Sequence, residues 1–475
     1  MEKHDTWPRS TDRSEKKAII IVCILMTLIA IEGPIRALLP SQPLIAMSIK
    51  DAVLSGLYCY VFAAFPARRS GKFDSWLIGL IVVFASLVCV YSYNVFFVDK
   101  LTPLIGIRSY IFYLPMVVVG FRLACSSRAL LILKVGSILL YMMFIVTVYQ
   151  VSTGAVGYGD ELAMYRNNVD GSMVMTATST LYGGRLAPYA AFWTVISIAQ
   201  LAYMAKGTSA VQKLHWILCL MMSVFMLLVG TNRTAVMAVI ICCVYMGWKN
   251  KKILLPLVAL SVVTVFASLL LIALGDSDFA KEYIGAQLTF VSGLTKFTPD
   301  DASDLHANRW GVAGTGLISA LSEAEDEIGW FGIGNGTRAP GISRVTDAGY
   351  VHLRVDTVMD ANQESGWVRL FVELGVLGIA LFTAILVRMG KLSSLSFARH
   401  PDELSILGIP ALVIYICLFH KHLGFGYDPM MQIYAFLLAG LSIGRARNRV
   451  REHLHFRAAR PIGEVRRHSL VRCDH

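Results

Sequence analysis

Charge is scarce in this sequence. Only 16% of its 475 residues are Asp, Glu, Lys or Arg, against roughly a quarter in a soluble domain. A chain of this length would otherwise divide into two or three soluble domains, and the deficit excludes that. A disulfide framework is missing as well. Of the nine cysteines, Cys23, Cys59, Cys89, Cys219, Cys242, Cys243 and Cys417 fall in apolar runs. Cys125 and Cys473 fall on segments expected in the cytoplasm, so no external loop holds a cysteine. No CxxC pair supplies metal-ligand spacing. There is no repeat of 20–50 residues and no inverted-repeat symmetry, which weighs against a secondary transporter. The polar first seventeen residues lead into an apolar run with no small-residue cleavage site, so an uncleaved first helix is expected.

Long apolar runs are what the chain has in abundance. Hydrophobic residues make up 56% of it and the mean hydropathy is +0.60. Many runs are long enough to cross a hydrocarbon layer of roughly 30 Å. Lipid offers the backbone no hydrogen bonds, so such segments must be helices. The expected fold is an all-α polytopic membrane protein with about twelve transmembrane helices. They are placed near 18–32, 45–65, 76–98, 105–124, 130–150, 188–205, 216–230, 234–248, 253–274, 366–387, 404–422 and 429–444, with Gly33-Pro34 ending the first. An external loop at 151–187 interrupts helices one to nine. A large external loop at 275–365 forms a subdomain between the ninth and tenth helices. Residues 1–17 and the basic tail 445–475 are expected in the cytoplasm.

The formal net charge of +11 is spread over short loops and the tail, which argues against nucleic acid. Most Lys and Arg fall on segments that share one side if the N-terminus is cytoplasmic. That is the bias that orients membrane helices, and an even helix number returns both termini to the same side. The tail is a topology determinant, and its charge also suits an anionic inner leaflet.

The external arginines are the informative minority. Arg185 precedes the sixth helix and Arg233 occupies the three-residue turn between the seventh and eighth. Arg309 lies within the large loop, and Arg108 and Arg369 sit a few residues into the fourth and tenth helices. A guanidinium fork matches phosphate oxygens two at a time. The plainer reading is snorkelling to the headgroups. For Arg233 that reading is weaker, because a charge in a tight turn between apolar helices is costly without a partner or role.

His352, Asp356, Asp360 and Glu364 recur every fourth residue, which would align them on one helical face entering the tenth helix. A carboxylate there suits removal of a proton from a sugar hydroxyl. A solvated amphipathic stripe is the alternative, and a metal site a weaker one. Gly332-Ile333-Gly334-Asn335-Gly336 lacks the dinucleotide-binding spacing. It reads either as a tight loop where backbone meets ligand or as a plain turn. Asp276-Ser277-Asp278 is an acidic pair of the kind that holds a divalent cation on a diphosphate, a weak signal by itself.

Taken in order, these stretches resemble the O-antigen polymerase and O-antigen ligase superfamily of bacterial membrane glycosyltransferases. Gly230-Thr231-Asn232-Arg233-Thr234-Ala235 is similar to the family's short Arg-bearing turn between two helices. Arg309-Trp310 followed by Gly332-Ile333-Gly334 is similar to its Arg and Gly-x-Gly loop. Glu364-Ser365-Gly366-Trp367 and Glu373-Leu374-Gly375-Val376-Leu377-Gly378 are similar to its His-Asn and Glu-Leu-Gly-Leu-Leu-Gly stretches. Glu364 stands where ligases place a histidine, which favours the polymerase side. Arg108-Ser109-Tyr110 to Pro115 resembles exopolysaccharide polymerases.

The resemblance implies polymerisation of lipid-linked repeat units at the periplasmic face of the bacterial inner membrane, without metal or cofactor. The substrate would be an undecaprenyl-diphosphate-linked oligosaccharide, with a chain-length regulator and a flippase as protein partners. Glu364, with His352 in reserve, would be the base. Arg185, Arg233, Arg309 and Arg108 would hold the diphosphate, and Gly332, Gly334 and Asn335 would form a substrate loop. The alternatives are an O-antigen ligase, a metal-dependent glycosyltransferase built on Asp276 and Asp278, and a non-enzymatic transporter of lipid-linked oligosaccharide.

Overall fold

The computed structural model describes residues 9–38, 43–64, 73–96, 101–124, 126, 128–153, 164–166, 173–175, 179–181, 185–204, 208–230, 232–249, 332, 366–421 and 429–459. The expected ninth helix lies outside the described residues, as do the large loop save Gly332 and the end of the tail.

Most of the described residues are helical, and one two-stranded antiparallel pair, Met164–Arg166 with Met173–Met175, falls in the first long loop. The helices are α1 (Arg9–Ala30), α2 (Glu32–Leu38), α3 (Pro43–Ala64), α4 (Ser75–Phe96), α5 (Leu101–Tyr110), α6 (Met116–Leu123) and α7 (Ala129–Thr153). They continue with α8 (Leu186–Tyr203), α9 (Ala210–Val229), α10 (Arg233–Lys249), α11 (Gly366–Arg399), α12 (Gly408–Lys421) and α13 (Pro429–Ala459). Among the described residues five stretches are long and apolar enough to cross a membrane: Ser75–Tyr93, Ala129–Ser152, Leu186–Tyr203, Ala210–Val229 and Glu373–Arg399.

The surface is apolar where a soluble protein would be charged. Along α4, α7 and α10, Val82, Val90, Ile138, Ile145 and Val244 stand exposed, and an apolar surface of that extent marks contact with something other than water. Aromatic residues mark the helix ends. Trp76 and Trp248 are exposed at the ends of α4 and α10 that are expected inside, and Tyr93 and Tyr149 at the opposite ends of α4 and α7. Amphipathic rings favour the headgroup level in this way.

At the centre stands α8, with every residue from Leu186 to Ala199 buried. The aromatic rings of Tyr189 and Phe192 meet Tyr434 of α13 at 5.7 and 5.5 Å between centroids. The tightest crossing joins α6 and α13. A side-chain carbon added at Gly120 would strike the Leu437 carbonyl, and one at Gly440 the Val117 carbonyl. Small residues let backbones approach, so dispersion replaces the hydrophobic drive that lipid does not supply.

Four expectations need revision. The first helix ends at Ala30, before Gly33-Pro34, and those residues instead open α2. A proline in a first turn gives up an N–H that has no partner there anyway. The fourth expected span is broken into α5 and α6 by a turn at 111–115, with Pro115 at the N-cap of α6. The tenth runs to Arg399 and breaks its helical dihedrals at Gly375, whose φ is 64°. The twelfth continues as α13 to Ala459, into the basic tail.

Ion pairs link the helices near both of their ends. Arg388 grips Asp74 through two nitrogens at 3.1 and 2.7 Å, and Arg445 meets Asp402 at 2.7 Å. Both pairs join residues expected at the inner ends. Lys50–Glu32, Arg185–Glu32, Arg108–Asp51 and Arg369–Glu373 join residues expected at or near the outer ends. Asp74 also accepts the Leu77 N–H, capping α4, and Asp402 accepts the Ser405 N–H.

The α6–α13 crossing yields a paired prediction. Gly440→Val should lower the thermal midpoint of the detergent-purified protein, by overpacking worth about 1–3 kcal/mol or more. Gly390→Ala, with nothing within 4 Å of the added carbon, should leave it unchanged or raise it. Equal midpoints for the two variants would show that the crossing is loose.

Candidate functional site

Three carboxylates organise the end of the bundle that is expected to face outward. The first is Glu32, at the start of α2. It accepts Lys50 Nζ of α3 at 2.6 Å and Arg185 Nη1 at 2.5 Å. Glu32 and Lys50 side chains are 2% and 4% exposed and Arg185 is 16% exposed. Snorkelling would carry these cations out to water; here they turn inward onto an acid. Arg185 is the residue before α8, so this contact ties the central helix to the end of the first.

Shortly before Arg185 in the chain, Ser179, Thr180 and Leu181 are buried. Ser179 has a φ of 56°, a left-handed conformation that a non-glycine residue holds only when its surroundings enforce it. The Gln150 side chain enforces it from both sides, accepting the Ser179 N–H at 2.7 Å and donating to its carbonyl at 3.1 Å. Ser179 Oγ donates to the Met143 carbonyl, Thr180 Oγ1 to the Ala30 carbonyl, and the Gly33 N–H to the Thr180 carbonyl. Ser179 and Thr180 thus lie among α1, α2 and α7.

Asp51 is the second carboxylate and follows Lys50 directly. It accepts Arg108 Nε at 2.5 Å and Tyr113 Oη at 3.1 Å, and the Arg108 guanidinium lies 5.7 Å from the Tyr113 ring centre. The broken fourth span makes this possible, since its turn carries Tyr113 back toward Arg108.

The third carboxylate, Glu373, is fully buried with its partner. Arg369 Nε donates to it at 2.9 Å, one helical turn away, and both side chains are 0% exposed. Tyr110 Oη donates to its other oxygen at 2.7 Å, and the Arg369 guanidinium lies 5.6 Å from the Tyr110 ring centre. Two stretches noted in the sequence meet at this point. Gly332, with a φ of 71°, packs so closely on α11 that an added carbon would lie 2.6 Å from Glu373 C and Gly375 N. Only glycine fits both the dihedral and the gap, and Gly332 lies against the break in α11.

The turn before α10 is defined by Asn232, whose side chain accepts the Ala235 N–H at 3.1 Å. Asn is a favoured N-cap, so Arg233 becomes the first helical residue. A cation there opposes the helix dipole, which means helix stability does not account for it. Gly230 in the same turn lies against Ala187, with an added carbon 2.7 Å from the Ala187 N. The backbone segments bearing Arg185 and Arg233 are therefore adjacent.

Of the residues singled out in the sequence, Arg185, Arg108 and Gly332 are placed by their contacts, and Arg233 by its backbone alone. Glu364, His352, Arg309, Gly334, Asn335, Asp276 and Asp278 lie outside the described residues. Sequence reasoning sought cations, passed over Asp51 and Lys50, and noted Glu373 only as part of a motif, not as the counter-charge of Arg369. The available signal was an ionisable residue inside an apolar run, which is a functional pointer by itself. Among the described residues no group of His, Cys, Asp and Glu could hold a metal ion.

Neither a protein-family model nor a curated protein matches the chain in sequence.

Glu373→Ala should destabilise the purified protein by about 3–5 kcal/mol, because it leaves Arg369 buried without its counter-charge. Combining Arg369→Met with Glu373→Leu should recover much of that loss in the same thermal-unfolding assay. A double variant as unstable as Glu373→Ala would show that the pair is more than a compensated charge.

Proposed function

We propose that this chain is a polysaccharide polymerase of the bacterial inner membrane. In this reading it spans the bilayer about twelve times, with both termini cytoplasmic, and joins lipid-linked repeat units at the periplasmic face. The observation that supports it most is the adjacency of the Arg185 and Arg233 segments at one end of the helices. Arg108 and Arg369 lie at the same end, and inward carboxylates hold Arg185, Arg108 and Arg369. An anion held at Arg185 and Arg108, which stay part-exposed, meets guanidinium groups already in position, so little reorganisation accompanies the reaction.

The reaction is an inverting displacement. A hydroxyl oxygen of the acceptor repeat unit bonds to the anomeric carbon of the donor glycan. The bond from that carbon to the lipid diphosphate breaks, and its electron pair leaves with the diphosphate oxygen. The hydroxyl proton passes to Glu364, with His352 as the reserve base. Arg185, Arg233, Arg309 and Arg108 stabilise the charge that grows on the leaving group, and Gly332, Gly334 and Asn335 form the substrate loop. A diphosphate leaves readily, so positioning two large lipid-linked substrates accounts for much of the remaining barrier. A carboxylate in the ligase histidine position favours polymerase over ligase.

Arg233→Ala, Arg185→Ala and Glu364→Gln, each expressed in a strain lacking its own copy, should reach the membrane at wild-type level. Each should reduce polymer on the order of 100-fold and accumulate single repeat units on the lipid carrier, read by gel electrophoresis of extracted glycolipid. Wild-type polymer from all three would refute the proposal.

A further inference from the structure

One cation near the inner end of the helices has no acid to meet. Lys134 is the single charge in the apolar stretch Ala129–Ser152 of α7, about 8 Å along the axis from the start of that helix. It is exposed, and among the described residues no carboxylate or hydrogen-bond acceptor meets its ammonium. Other cations near that end are partnered. Arg388 meets Asp74, Arg445 meets Asp402, and Arg122 donates to the Val61 carbonyl and lies over the Phe62 ring.

The seam beside Lys134 is held firmly. His215 of α9 stands between two hydroxyls of α7, with Ser137 Oγ 3.1 Å from Nε2 and Tyr141 Oη 3.1 Å from Nδ1, and its ring stacks on Tyr141. Ser137 Oγ donates its one hydrogen to the Lys134 carbonyl at 2.7 Å. It therefore accepts from Nε2–H, which leaves Nδ1 to accept from the Tyr141 hydroxyl. On the opposite face of α7 the Trp193 ring fills the place where a side chain at Gly136 would go. So α7 is fixed between α8 and α9, with Lys134 one turn before Ser137 and close enough to His215 for its charge to act on the ring. Along the same two helices Leu131, Ile138 and Ile145 of α7 and Leu214 and Leu218 of α9 are exposed.

We infer that the α7–α9 seam binds an anionic phospholipid of the inner leaflet, with its phosphate on the Lys134 ammonium and its acyl chains along those exposed apolar residues. Charge decides the occupant. An ammonium at this depth without a counter-charge is costly, and a charge-assisted bond to a phosphate offsets that cost. Basic positions between transmembrane helices at a cytoplasmic surface take anionic headgroups in this way. A zwitterionic lipid brings its own cation and compensates less. The seam lies at the other end of the helices from the proposed diphosphate site, so the two readings stand or fall separately.

The full-length protein in dodecyl maltoside tests the inference, through its thermal midpoint and through native mass spectrometry of retained lipid. Phosphatidylglycerol should raise the wild-type midpoint, as a ligand of the folded state does, and phosphatidylcholine should not. Lys134→Gln should bind phosphatidylglycerol about fivefold more weakly, the share of one charge near the surface. Lys134→Arg should bind as wild type does. So should Lys391→Gln, which removes an exposed cation of α11 expected at the same end. Each midpoint is compared with that of the same variant without lipid, so a change in folding does not imitate a change in binding. Undiminished binding by Lys134→Gln would overturn the inference. An equal loss in Lys391→Gln would also overturn it, because it would mark general attraction to a cationic surface. Equal stabilisation by phosphatidylcholine would remove the role of charge, and equal stabilisation by glycerol 3-phosphate would assign the site to free phosphate rather than lipid.

Discussion

A charge beside hydrocarbon has few places to go. Water lies at the membrane surface, and otherwise only a partner inside the protein can offset the cost of burial. In this chain Lys50, Arg185, Arg108 and Arg369 all turn inward, onto Glu32, Asp51 and Glu373. Each acid joins segments that are distant in sequence. Glu32 links α2, α3 and the entry to α8; Asp51 links α3 to the broken α5–α6 unit; Glu373 links α11 to Tyr110 at the end of α5. Lys50 and Asp51 are neighbours in α3, so the three groups form a band across one end of the helices.

The rest of the fold holds that band in place. Close backbone contact at Gly120 and Gly440 fixes α13 against α6, and α6 follows the turn that carries Tyr113. At the opposite end, Arg388–Asp74 and Arg445–Asp402 hold α11 to the start of α4 and α13 to the turn before α12. Two further backbone contacts lie at the end that carries the three carboxylates. One is at Ser179, kept in a left-handed conformation by Gln150, and the other is Gly332 against the break in α11.

That arrangement changes the meaning of these arginines. Snorkelling treats each as an independent anchor with its tip in water. Arg185, Arg108 and Arg369 are instead fixed in position by the acids they meet. The α10 turn makes the same point differently. Asn232 caps the helix, so Arg233 occupies a position where the helix dipole disfavours a cation, and a bound anion would reverse that preference.

Hydropathy alone determined that the chain is helical and suited to a membrane, because apolar runs long enough to span leave the backbone no other way to satisfy its hydrogen bonds. Most helix positions agree within a few residues for the same reason. The breaks at Pro115 and Gly375 and the extension of α13 escaped that reading, since hydropathy is blind to where a continuous apolar run changes direction. In the site, Arg185, Arg108 and Gly332 stood out as charges or glycines in unusual places. What they touch did not, because Glu32 and Arg185 are separated by 153 residues and Tyr110 and Glu373 by 263, and nothing local encodes such a pairing. Only tertiary structure decided which acid holds which base, since that choice follows from how the helices pack.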